Sequence, residues 1–295
     1  MRKLGGCMKK NVEEIIKEYE NNINNAIKYN SYINEVREYN GYIFKEIKDL
    51  KKFKNELQWL KKLMDLNYCT PKIIGTYNQK IIIMEKIKGI AIKDEEAKEH
   101  LYNIGKLMAN LHNIPIKQNV NWKKAMMSEY LELKESAKGI MENNIFEIST
   151  RFLEQELEKM EVFKLAVIHR DIRPENVIYS DGKYYLLDLE SMCIGDRDYD
   201  FTRMLNLLNQ KEIYQYEDFK NLIDGYRYIN DIEISEGKWQ LYNRFYAFRI
   251  YSKMLTGKIN RDSEFEEYLK NILITKYDRV TEWIKKYNLE RKNDN

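Results

Sequence analysis

The chain has 295 residues, 43% of them hydrophobic, enough for one large domain or two smaller ones with a sizeable core. Lysine and arginine number 50 against 47 aspartate and glutamate, a net charge of +3. So balanced a charge, with no basic patch interleaved with aromatics, argues against a nucleic-acid partner.

Met1 to Cys7 has the outline of a lipoprotein cleavage site, but the apolar h-region that a signal needs is missing. Residues 9–29 carry a helical or mixed pattern on Val12, Ile15, Ile16, Tyr19, Ile23 and Ile27. Residues 31–47 read as two strands around Asn40-Gly41. An amphipathic helix is expected over 50–66, with Leu50, Phe53, Leu57, Leu60 and Met64 at helical spacing and Glu56 beside that face. Strand runs at 71–74 and 81–84 flank a polar turn at Asn78-Gln79, and Glu85-Lys86-Ile87-Lys88-Gly89 follows. Residues 94–113 read as a helix on Ala97, Leu101, Ile104, Leu107, Met108 and Leu111, stopped by Pro115.

Residues 122–163 are helical and strongly acidic, from Glu129 to Glu161, with lysines interspersed. Residues 201–290 read as all helical. Their aromatic stripe is core by default, with Trp239 and Tyr242 also candidates for a pocket wall. Cys7, Cys69 and Cys193 are odd in number and widely spaced, which suggests neither a disulfide framework nor a zinc site and fits a reducing cytoplasm. No run approaches the roughly 18 apolar residues of a membrane span, so a soluble protein with no membrane partner is expected.

The chemistry is concentrated between residues 166 and 190. Ala166 to Ile168 is a short strand run, and the polar loop His169-Arg170-Asp171-Ile172-Arg173-Pro174-Glu175-Asn176 follows. Val177–Tyr179 and Tyr184–Leu187 then flank Ser180-Asp181-Gly182-Lys183. This is a strong hairpin signal, because so tight a turn needs positive φ. Asn176 stands just before the first arm and Asp188 just after the second, so both belong at the open end of the hairpin. Asp171 lies on the loop leading there, and Glu190 is available as a fourth group. Oxygen groups of this kind suit Mg²⁺.

His169-x-Asp171-x-x-x-x-Asn176, with a strand-end Asp188 17 residues after Asp171, resembles the catalytic core of the protein-kinase-like superfamily. Asp188-Leu189-Glu190 and then Gly195-Asp196-Arg197-Asp198-Tyr199-Asp200-Phe201, with no long activation segment, resemble its aminoglycoside phosphotransferase and choline kinase branch. The resemblance spans roughly residues 26–260. It implies an α+β, bilobal kinase-like fold. The N-lobe would be a small antiparallel sheet plus a helix over residues 1–87. A larger, mainly helical C-lobe over 88–295 would carry the catalytic loop, the metal site and the acceptor pocket.

The implied reaction is transfer of the γ-phosphoryl group of ATP or GTP to a hydroxyl of a small molecule, with Mg²⁺. Asp171 would accept the hydroxyl proton, and Asn176 and Asp188 would bind the metal, with Glu190 a further candidate. Lys45 matches the strand lysine that contacts the phosphates, and Glu56 matches its partner. The plain reading of each is a solvated charge. Ser31 falls in the nucleotide-covering loop near Ala26–Glu35, which has no glycine. Glu85 and Ile87 fall in the hinge whose backbone binds the adenine edge. His112 and His169 read as structural, and Asp196 and Asp200 as braces on backbone amides.

The acidic helices would suit a cationic acceptor such as an aminoglycoside or choline, although charged helix faces are otherwise simply solvated. Two alternatives stand beside this. A non-catalytic, kinase-like structural protein of the spore-coat type is opposed by the intact Asp171, Asn176 and Asp188. A Ser/Thr protein kinase is suggested by His169-Arg170-Asp171 and opposed by the missing activation segment. A cytoplasmic location is expected.

Overall fold

The computed structural model describes residues 11–29, 34–162, 164–275 and 278–293. The chain separates into a unit that runs to Ile90 and takes back Ile178–Ser191, and a second made of Ala91–Val177 and the residues from Met192 onward. The expected division at residue 87 is contiguous. The observed one is interleaved.

The first unit contains α1 (Val12–Asn21), β1 (Ile27–Tyr29), β2 (Glu35–Tyr39), β3 (Tyr42–Glu46), α2 (Leu50–Asp65), β4 (Ile73–Tyr77) and β5 (Ile81–Glu85). These five strands form one sheet in the order β1-β2-β3-β5-β4, every neighbouring pair antiparallel. The turn residues explain the hairpins. Asn40 and Gly41 between β2 and β3 both have positive φ, 48° and 80°, and Asn78 and Gln79 between β4 and β5 have 50° and 54°. The two-residue Asn40-Gly41 turn matches the twist of the strands it joins, and the β4–β5 turn has three residues, Asn78 to Lys80.

Phe44 and Lys45 are adjacent on β3 and both buried, so both faces of the sheet are covered. On one face Phe44 stacks on Tyr19 of α1 with ring centres 3.7 Å apart. The other face holds Lys45 against α2.

A two-residue strand, β6 (Ile90–Ala91), lies where the chain leaves the first unit. Then come α3 (Leu101–His112), α4 (Trp122–Ala137), α5 (Asn143–Lys159) and β7 (Leu165–Ile168). The expected helix over 94–113 is α-helical only from Leu101. Asp94–His100 is a 3₁₀ segment in which Ala97 alone is buried, so it lacks the apolar stripe that would hold an α-helix. The hairpin of β8 (Val177–Ser180) and β9 (Lys183–Leu186) turns on Asp181 and Gly182, with φ of 47° and 75°.

β10 (Cys193–Asp196) returns to pair antiparallel with β7. It was not legible as a strand, because its Gly195 breaks the pattern. That glycine is needed where a β-carbon would stand 2.7 Å from the Trp122 ring. The chain ends in α6 (Phe201–Gln210), α7 (Tyr216–Arg227), α8 (Glu236–Leu255), α9 (Ser263–Ile274) and α10 (Arg279–Asn293). The core of the second unit lies among α4, α5, α8 and α9, with Tyr130, Leu153, Phe248 and Leu269 fully buried.

The fold is thus α+β, a small antiparallel-sheet unit and a larger helical one. No helix among the described residues is long and apolar enough to cross a membrane. Cys69 and Cys193 are both free thiols.

Candidate active site

In the first unit Lys45 Nζ donates to Glu56 at 2.6 and 2.8 Å and to Asp188 Oδ1 at 2.6 Å. The side chains of Lys45 and Glu56 are only 8% and 2% exposed. Burial by itself would drive the proton off Lys45. The charges of Glu56 and Asp188 outweigh it, and the lysine pKa lies above its ordinary value. Burial also pushes the Glu56 pKa up, against the pull of Lys45.

The helical period explains how a carboxylate comes to be there. Glu56 is three residues from Phe53 and four from Leu60, both buried, so it shares their face of α2. Of the expected apolar positions only Leu50, in the first turn, is exposed. Asp49 caps α2 by accepting from the amides of Lys51 and Lys52, which sets the helix close behind β3.

Asp188 is held in the left-handed region at φ 61°. A non-glycine residue rarely adopts that conformation, and such outliers cluster at functional sites. Glu190 accepts from Lys52 Nζ and, at 2.8 Å, from Asn34 Nδ2, while Asn55 Nδ2 donates to its carbonyl at 2.9 Å. One oxygen from each of Glu56, Asp188 and Glu190 lies within 4.8 Å of the others. Hard anionic oxygens so grouped fit a hard divalent cation.

Sequence reasoning passed over Lys52, Asn34 and Asn55. A signal existed for Lys52, which stands four residues before Glu56 on the same helix face. Asn34 and Asn55 had none.

In the second unit β7 delivers the chain into the 169–176 loop. The Asp200 carboxylate accepts the amides of His169 at 2.7 Å and Arg170 at 2.6 Å. His112 Nε2 lies 3.1 Å from the same carboxylate, and its Nδ1 lies 2.8 Å from Tyr226 Oη. His169 is fully buried, and the Asp171 amide donates to its Nδ1 at 3.3 Å. Both histidines and Asp200 therefore shape the loop, as their sequence positions suggested.

Asn176 Nδ2 donates to the Asp171 carbonyl at 2.9 Å and to its carboxylate at 3.3 Å. Arg203 of α6 was not anticipated. Its Nε donates to Asp171 Oδ1 at 2.8 Å, and its Nη1 donates to the Tyr246 hydroxyl. Asp196 accepts from Tyr242 Oη at 2.7 Å and from Lys238 Nζ at 2.8 Å. Trp239 donates to Asp278 at 3.1 Å. Both pocket candidates, Trp239 and Tyr242, are thus buried residues held by internal hydrogen bonds.

Some of the carboxylates of the acidic helices are paired. Glu129 meets Arg170 and Arg249, Glu142 meets Lys270, and Glu154 meets Lys134. Burial would raise the Glu129 pKa, but the two arginines hold it below the usual carboxylate value. Ser31 lies outside the described residues. Glu85 ends β5 and its amide donates to the Lys72 carbonyl at 2.9 Å. Half-buried Ile87 follows two residues later. Lys45, Glu56, Asp188 and Glu190 are thus grouped in the first unit, and Asp171 and Asn176 in the second.

The fold and these groups can be set against known proteins. A search of the curated proteins finds no match. Solved structures of the same fold include a choline/ethanolamine kinase family protein from Mesorhizobium loti, at 13% identity and a TM-score of 0.67, covering 88% of this chain and 90% of that one. A choline kinase from Streptococcus pneumoniae aligns at 16% identity and a TM-score of 0.65, covering 89% and 97%. The streptomycin–ATP–APH(2")-IIa ternary complex aligns at 17% identity and a TM-score of 0.65, covering 94% and 99%. Identities this low speak for the fold alone. The sequence itself goes further: residues 36–226, well over half of the chain, match the phosphotransferase enzyme family. The chain belongs to the phosphotransferase enzyme family.

Proposed function

We propose that the chain transfers the γ-phosphoryl group of a nucleoside triphosphate, ATP or GTP, to a hydroxyl of a small molecule in the cytoplasm. The observation that carries this reading is the buried Lys45 bridging Glu56 and Asp188. A lysine held so rigidly contributes little to stability alone, since buried ion pairs seldom beat apolar packing. It is a sound device for presenting a fixed positive charge to phosphates.

In this reading residues 1–87 hold the nucleotide and 88–295 the acceptor. Lys45 contacts the phosphates and Glu56 fixes its direction. The backbone at Glu85 and Ile87 takes the adenine edge, and Ser31 belongs to the loop over the phosphates. Asp188 and Asn176 would hold Mg²⁺, with Glu190 a further ligand. Their hard oxygens suit that ion, which when bound neutralises charge on the phosphates. Asp171 orients the hydroxyl and accepts its proton, and the amide of Asn176 fixes the loop around it.

The expected cationic acceptor, an aminoglycoside or choline, rested on the acidic helices. Glu129, Glu142, Glu154 and Glu156 among them are paired with arginine or lysine, which reduces the negative charge available to such an acceptor.

The test is Mg²⁺-dependent consumption of ATP and of GTP across hydroxyl acceptors of different charge, with Asp171→Asn alongside. General-base help is worth about 10²–10⁴ in rate. Acceptor-stimulated turnover should therefore fall by at least about a hundredfold in the variant. Absence of any Mg²⁺-dependent nucleotide binding would point instead to a non-catalytic member of the fold. Labelling of protein substrates in place of small molecules would point to a protein kinase.

A further inference from the structure

Four arginines of the second unit, Arg170, Arg173, Arg203 and Arg249, are linked to one another through Asp171, Tyr246 and Glu129. Arg203 donates to one oxygen of Asp171 at 2.8 Å, and Arg173 Nε lies 3.6 Å from the other. The Arg203 guanidinium lies over the Tyr246 ring at 4.7 Å from its centre, and that of Arg249 is 6.0 Å from the same centre. Arg170 and Arg249 share the Glu129 carboxylate, at 2.7 and 3.6 Å. The cluster therefore sets four permanent cations against three carboxylates, those of Asp171, Glu129 and Glu175, the last 3.9 Å from Arg173 Nη1. Arginine stays protonated at any working pH, so the excess cannot be titrated away.

Two further features bear on what this excess is for. The side chains are partly open to solvent, Arg173 at 25%, Arg203 at 20% and Arg249 at 13%. The Nε atoms of Arg170, Arg173 and Arg249 are buried without a hydrogen bond among the described residues, so each guanidinium has donor capacity beyond its present partners. An ammonium group brought beside Asp171 would meet Arg203 and Arg173 at close range. A carboxylate or phosphate would meet planar donor forks that match its shape.

We infer that the acceptor carries an anionic group, a carboxylate or a phosphate, read by Arg173, Arg203 and Arg249 beside the hydroxyl that Asp171 receives. This deepens the proposed small-molecule kinase reading and rests on it for the role of Asp171. The arginine site can be tested separately.

The experiment is calorimetric binding to the full chain, with and without Mg²⁺ and a non-hydrolysable ATP analogue. The probes are glycerate, glycerol 3-phosphate, neutral glycerol and cationic choline. The inference expects at least one of the two anionic probes to bind roughly tenfold or more tighter than glycerol and choline, and the better of the two names the source of the charge. Arg173→Gln and Arg249→Gln should each reduce the ratio of anionic to glycerol affinity. A merely structural effect would weaken both probes alike and leave that ratio in place.

Preference for choline, failure of both anionic probes, or an unchanged ratio in both variants would overturn the inference. Failure of the kinase reading looks different: no Mg²⁺-dependent nucleotide binding, with the charge preference still present and still lost in the variants.

Discussion

Lys45 is the residue on which the first cluster depends, and its removal has a consequence with a definite sign. Lys45→Met would leave Glu56 buried without its counter-charge. Breaking one half of a buried pair costs about 3–5 kcal/mol. The folded-state pKa of Glu56 is already above the ordinary carboxylate value, and loss of Lys45 raises it further. A carboxyl group raised on folding favours the native state fully below its unfolded pKa. That contribution is lost as pH rises through the folded value. The variant should therefore regain stability on acidification from pH 7 to 5, and urea unfolding at the two values should show its deficit against the natural chain shrinking. A pH-independent deficit would mean that Glu56 is not its source. At this scale the pairing of Lys45 with Glu56 was legible, because the motif indicates a strand lysine held by a helix glutamate. The sequence was silent on Arg203, because nothing local marks one arginine on an amphipathic helix as the partner of a residue 32 positions earlier.

Helices α3 and α7 pack through their glycines, and here an element depends on the absence of a side chain. A β-carbon on Gly225 of α7 would fall on the Tyr102 carbonyl of α3, and one on Gly105 of α3 would fall on the Leu222 carbonyl of α7. The obstacle in each case is backbone, which cannot rotate aside. Gly225→Ala would ordinarily favour the helix by up to about 1 kcal/mol. Overpacking costs typically about 1–3 kcal/mol and should be at its upper end here. The expected outcome is a net loss of stability on chemical denaturation. A neutral or stabilising result would show that the two helices can move apart freely. Periodicity made the helices themselves legible, since it depends only on neighbours three and four apart. Close approach of two helices more than a hundred residues apart leaves no such trace, and Gly225 in the sequence looks like a weak point in a helix.

Taken as a whole, the chain does not build its first unit from a contiguous piece. Ile178–Ser191 belongs with the residues before Ile90, although 87 residues of the second unit lie between them in sequence. The attachment is chemical as well as spatial. The Leu186 amide donates to the Cys69 carbonyl at 3.0 Å, Thr70 Oγ1 donates to the Leu186 carbonyl at 3.3 Å, and Leu186 and Leu189 are fully buried. Asp188 and Glu190 supply counter-charges to Lys45 and Lys52. The kinase-like motifs made a small sheet lobe and a larger helical lobe legible, but motif order runs along the chain and could not show this return. A fragment ending at Ile90 should therefore lack part of its core and leave Lys45 with one carboxylate in place of two. Followed by circular dichroism in urea, it should show no cooperative transition. A fragment in which a flexible linker joins Ile90 to Ile178–Ser191 should recover one. Cooperative unfolding of the shorter fragment would mean that the returning segment is an attachment to a unit already complete without it.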